Sequence, residues 1–156
     1  MTADPWRVAQ IVVGRGPGQD DSVGSGYLIG PGRVLTAAHV VAGARAVRVR
    51  LDVGQETEID VPAESWWEDQ AGHERTDLAV VTIAQSATAG RTVEAVKFGR
   101  ISDCTAVLMV QAFGFPLFKL RDDPGPGDGP FVLRDFEQAS GHAPVAAKRR
   151  THRLAI

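Results

Sequence analysis

The chain has 156 residues, is 44% apolar and 23% charged, and carries a formal net charge of −2. That length suits one domain or two small subdomains with a core of their own. The near-neutral balance argues against nucleic acid or an anionic membrane as the main partner, and no stretch reaches the roughly 18 uncharged apolar residues of a membrane span.

In chain order, the sequence reads as short strands broken by Gly, Pro and Asp turns, the pattern of an all-β sandwich or barrel. Val8 to Val13 is the first apolar run, and the Gly- and Pro-rich stretch from Gly14 through Asp21 is a loop. Tyr27 to Ile29 is a short strand. Gly30 to Arg33 is a turn, and Val34 to Thr36 returns from it. From Ala46 to Val53, Val47, Val49 and Leu51 alternate with Arg48, Arg50 and Asp52, the period of a half-buried strand. Ile59 and Val61 repeat it. Leu78 to Ile83 is a continuous apolar run, as expected of a strand buried on both faces. Ser86 to Ser102 is irregular and marks the junction of two subdomains, 1–103 and 104–156. Ala106 to Phe113, Phe131 to Phe136 and His152 to Ile156 are three further strands. Arg121 to Pro130, dense in Asp, Pro and Gly, is a loop. No long amphipathic helix is expected.

Two segments carry chemistry. The first runs Gly24-Ser-Gly-Tyr-Leu-Ile-Gly-Pro-Gly-Arg-Val-Leu-Thr-Ala-Ala-His39. A buried strand here delivers an imidazole to the rim of a barrel, and the small Ala37 and Ala38 allow a sharp turn that keeps the ring out of the core. The second is Thr76-Asp77-Leu-Ala-Val-Val-Thr-Ile83, with a carboxylate at the mouth of an apolar strand. A carboxylate so placed can accept the Nδ1–H of a histidine and fix its tautomer. The two residues are 38 positions apart. Taken singly, His39 reads more readily as a capped or surface histidine and Asp77 as a strand-entry or turn residue.

Together, these segments resemble those around the histidine and aspartate of trypsin-like serine proteases, in the order His before Asp that marks the chymotrypsin type. The resemblance is strongest over residues 8–85. It implies an all-β, chymotrypsin-like double β-barrel, with the first barrel complete and the second only partly present. It implies that His39 acts as general base and then acid, that Asp77 orients it, and that the substrate is a protein or peptide. Gly114-Phe-Pro116 resembles the turn after the first strand of the second barrel in bacterial members.

The third triad member is missing. The family's serine sits in a Gly-Asp/Asn-Ser-Gly-Gly context whose backbone amides form the oxyanion hole, and no such segment occurs. Ser140-Gly141 lacks a glycine two positions to either side, and sixteen residues follow Ser140, too few to complete a barrel. It reads as a hairpin turn, Ala-Ser-Gly-His. The expectation is therefore a chain truncated before the nucleophile, inactive alone, with a second chain or downstream segment completing the second barrel. The alternative is a catalytically inactive trypsin-like domain serving as a protein-binding or regulatory module.

The remaining residues point nowhere else. Trp66 and Trp67 read as core and rim packing. His73, His142 and His152 are not at metal-ligand spacings with Cys104, and Gly24, Gly26 and Gly30 do not complete a dinucleotide fingerprint, so no cofactor is expected. A single cysteine excludes an internal disulfide, and the N-terminal residues show neither a basic nor an apolar leader region. Both suggest a cytoplasmic protein. The short basic run Lys148-Arg149-Arg150 reads as a solvated face.

Overall fold

The computed structural model describes residues 4–17, 21–53, 55–69, 76–99, 107–116, 120–123, 131–134 and 136–144. Seven strands form one antiparallel sheet: β1 (Val8–Gly14), β2 (Ser22–Gly30), β3 (Arg33–Thr36), β4 (Ala46–Leu51), β5 (Ile59–Pro62), β6 (Ser65–Glu68) and β7 (Ala79–Thr82), in the order β5-β4-β1-β2-β3-β7-β6. The two outermost strands are halves of one bent stretch. Between them, the Ala63 N–H donates to the Val47 carbonyl at 2.8 Å in β4, and the Glu64 N–H donates to the Thr82 carbonyl at 2.8 Å in β7. The stretch 59–68 therefore pairs with both ends of the sheet and closes it into a barrel.

Alternation along each strand fills this barrel. Val47, Val49 and Leu51 point inward with Ile11, Leu28 and Val34, all buried in one cluster. Arg48 and Arg50 point outward and pair with Asp60 on β5 and with Glu58 just before it. Trp66 packs on the core while Trp67 lies exposed, so the two tryptophans divide between core and rim as their sequence position suggests. β1 is buried on both faces, Val8, Gln10 and Val12 included. Gln10 accepts a hydrogen bond from the Arg50 guanidinium at 3.4 Å.

β7 corrects the reading of Leu78 to Ile83 as buried on both faces. Ala79, Val81 and Ile83 are buried, Val80 and Thr82 are half-buried, and Leu78 is 43% exposed. The apolar run of β7 is thus half-buried, unlike that of β1. β6 was not legible as a strand, because Ser65-Trp-Trp-Glu68 lacks a β-branched alternation and owes its extended form to pairing with β7.

Beyond the barrel, β8 (Val107–Gly114) pairs with β11 (Glu137–Pro144), and β9 (Leu120–Asp123) pairs with β10 (Phe131–Arg134). The expected strands at 106–113 and 131–136 are thus present with small shifts. Two expectations are corrected. The loop read from Arg121 begins as a strand, since residues 121–123 hydrogen-bond within the β9–β10 ladder. Ser140 is no turn: it sits mid-strand in β11 opposite Gln111. An eight-residue ladder overrides the local turn preference of Ser-Gly, and the chain reverses elsewhere. The strand expected at His152–Ile156, the subdomain boundary at 103/104, Cys104, His73 and the Lys148–Arg150 run lie outside the described residues.

The two parts touch where Ser25 Oγ in β2 accepts the Phe115 N–H at 2.8 Å. Within the second part, buried Phe115 packs edge-on against Phe136, with ring centroids 6.1 Å apart. The fold is that of a chymotrypsin-like double barrel, with the first barrel closed and the second partly represented.

Candidate active site

The segment after β3 sets the site. Ala37 is extended, and Ala38–Val41 forms a single helical turn, α1, closed by Ala42 N–H to the Ala38 carbonyl at 2.9 Å. This turn lifts His39 off the barrel end, and its side chain is 74% exposed. Gly24 in β2 makes the turn possible. A Cβ there would stand 2.5 Å from Val40 Cγ1, so only glycine lets α1 lie this close to β2.

Asp77 arrives from the opposite direction, just before β7. The ends of its loop are pinned together: Asp69 N–H donates to the Leu78 carbonyl at 2.9 Å, and Thr76 donates its hydroxyl and its backbone N–H to the Asp69 carboxylate. Asp77 itself takes a left-handed backbone conformation, φ 48°. Aspartate tolerates that region better than most residues, and such outliers persist where surrounding contacts hold them.

Those contacts are all with the histidine turn. Asp77 Oδ2 is 2.8 Å from His39 Nδ1, Oδ1 accepts the His39 backbone N–H at 2.9 Å, and the Asp77 carbonyl accepts the Ala38 N–H at 3.1 Å. The backbone N–H of His39, then its ring, then the Ala38 N–H hold the Asp77 carboxyl below the usual carboxylate range, against a smaller opposing push from burial. An ionised carboxylate facing Nδ1 makes that nitrogen the N–H donor, so in the neutral ring Nε2 carries the lone pair. Chemically this is an oriented base with its accepting nitrogen free.

Two depressions flank the pair. One, of about 430 Å³, is lined by His39, Ala37, Gly24, Ser22, Arg15 and neighbouring residues. The other, of about 490 Å³, runs from Asp77 and Thr36 to Gln111 and Phe113 at the seam between the two parts of the chain. Ser140 lines neither. Among the described residues, no three His, Cys, Asp or Glu side chains are grouped to hold a metal ion, and no helix is long and apolar enough to cross a membrane. Arg15 was passed over at the sequence level: it lies in no motif, and only the folded chain places it beside His39. Ser25 lies within the Gly24-Ser-Gly26 motif, but its bond to Phe115 appears only in the folded chain.

The closed barrel, the two short sheets beyond it and the exposed His39–Asp77 pair make up a chymotrypsin-like architecture. The sequence matches the trypsin-like peptidase domain over residues 24–150, and the chain belongs to that family. A solved chain described as "Structure of GrC" superposes with a TM-score of 0.58 at 15% identity, covering 87% of this chain and 59% of that one. The present chain thus corresponds to about three-fifths of that structure's length. No curated protein sequence matches it.

Proposed function

We propose that this chain is the histidine- and aspartate-bearing portion of a serine endopeptidase, with the nucleophilic serine and the oxyanion-hole amides supplied by polypeptide outside this sequence. The observation that carries the reading is the two-point clasp of His39 by Asp77, through Nδ1 at 2.8 Å and through the backbone N–H at 2.9 Å. A purely structural role does not need an ionised, exposed carboxylate that fixes one tautomer of an exposed imidazole.

In the completed site, His39 Nε2 takes the proton of the incoming serine hydroxyl as its oxygen attacks the scissile carbonyl. His39 then returns that proton to the leaving amine. Asp77 stays ionised throughout and stabilises the imidazolium. Losing the serine removes about 10⁶ in turnover, so this chain alone hydrolyses no peptide at a useful rate. The division into subdomains at 103/104 belongs to this reading. So does a bacterial, cytoplasmic setting, which fits a sequence with the single cysteine Cys104.

Intact-mass analysis of the native protein, followed by fluorophosphonate labelling, tests the proposal. The expected result is a serine labelled in polypeptide beyond this sequence, with labelling lost in the His39→Ala variant. A native protein with no labelled serine would show the same fold used as a binding or regulatory module.

A further inference from the structure

Arg15 is the cation at the cleft. It follows β1, and its guanidinium reaches back over the entrance to α1, where Nη1 donates to the Ala42 carbonyl at 2.6 Å and Nη2 lies 3.4 Å from Ser22 Oγ. Both partners are neutral. Among the described residues, no carboxylate pairs with it. Asp21 lies near the same loop, with a carboxylate oxygen 3.7 Å from where a Gly14 Cβ would stand, but makes no ion pair with Arg15. The arginine is half-buried and held at two points, so its side-chain entropy is already spent, and N–H donors remain on its five-donor fork. It lines the same depression of about 430 Å³ as His39. Arg45 adds to the local field: its side chain lies against Gly16, the next residue along.

We infer that Arg15 is a specificity-determining residue that receives an acidic side chain of the peptide substrate close to the scissile bond. The inference deepens the protease reading by naming a substrate class. A carboxylate entering the His39 depression meets a preorganised guanidinium that pairs with no carboxylate among the described residues, and charge-assisted Arg–carboxylate hydrogen bonds are the strong ones. A neutral side chain of the same shape forfeits the charge-assisted bond.

The test uses the purified 156-residue protein and fluorescein-labelled octapeptides in which one Glu is walked from end to end, each beside its Gln twin. Fluorescence anisotropy reads their affinities. At one or two positions Glu is expected to bind about tenfold tighter than Gln, the worth of a hydrogen bond to a charged group, with the preference shrinking as salt rises. Arg15→Gln should abolish the difference, and Arg15→Lys should keep part of it. Equal affinity of every Glu/Gln pair, including no binding by either twin, overturns the inference, as does a preference that survives Arg15→Gln. The wild-type comparison stands even if the variants fold poorly. The protease reading fails on a different readout, fluorophosphonate labelling that is insensitive to His39→Ala, so the two failures are distinguishable.

Discussion

Asp77 holds His39 by two oxygens at once, Oδ2 on the ring nitrogen at 2.8 Å and Oδ1 on the backbone N–H at 2.9 Å. The carboxylate therefore fixes both the position of the histidine turn and the tautomer of its ring. Asp77→Asn separates these roles. The amide oxygen still accepts the backbone N–H, but the NH₂ group now faces Nδ1 and forces the other tautomer. Nitrogen-15 NMR of His39 is expected to show the proton moved to Nε2. In the completed enzyme, kcat should fall about 10⁴-fold. An unchanged tautomer would refute the assignment of Asp77 as the orienting residue.

The same clasp sets a pH dependence. The folded pKa of Asp77 lies below its ordinary value of 3.8. Its contribution to stability is therefore present above that ordinary value and lost as pH falls through the folded one. Thermal melts of wild type and Asp77→Asn should differ by a constant amount from pH 7 to 5 and converge as pH drops below about 4. The Asp77 side chain is 54% exposed, so solvent screening keeps the difference small. A difference that grows in acid contradicts the sign.

Asp52 behaves alike for another reason. Burial pushes its carboxyl up, but the Thr57 hydroxyl and the Arg91 guanidinium together outweigh that push and hold it low. Arg91 also lies over the Trp6 ring, 4.9 Å from its centroid, so the ion pair ties the N-terminal segment to the β4–β5 connection. Asp52→Asn should cost about 1–2 kcal/mol at pH 7 and far less in acid, read by urea unfolding at the two pH values.

Gly24→Ala should disturb the site from beneath. The new methyl meets Val40, the residue after His39, and α1 must shift. A loss of about 1–3 kcal/mol is expected, with perturbed His39 resonances. Gly90→Ala, where nothing lies within 4 Å, is the control and should change stability by less than about 0.5 kcal/mol. Equal effects of the two would sink the packing argument.

Ser25→Ala removes the acceptor for the Phe115 N–H, a bond between residues 90 positions apart. The Phe115 amide should exchange with solvent markedly faster, while amides in the barrel core, such as that of Val49, keep their protection. Ser140→Ala, by contrast, should leave any activity of the completed enzyme intact.

Much of the first barrel was legible because its alternation is regular. Val47, Val49 and Leu51 against Arg48, Arg50 and Asp52 dictate which face is buried before any partner strand is known. The segments at His39 and Asp77 were legible too, since their flanks mirror local constraints: small residues at a sharp turn, and a carboxylate before an apolar strand. Three features were not. Barrel closure depends on Ala63 and Glu64 bonding to strands on opposite edges, which no local pattern encodes. Ser140 carries turn-forming neighbours, but an eight-residue pairing with β8 overrode them. Arg15 reads as one more loop arginine until the chain returns to set Ala42 and His39 beside it. Local stereochemistry and hydrophobic periodicity are written residue by residue, and so the sequence by itself determined an all-β domain and singled out His39 and Asp77 as candidate site residues. The distance between those side chains, the left-handed turn at Asp77 and the charge at the cleft are products of contacts between segments far apart in the chain, and only the tertiary structure decided them.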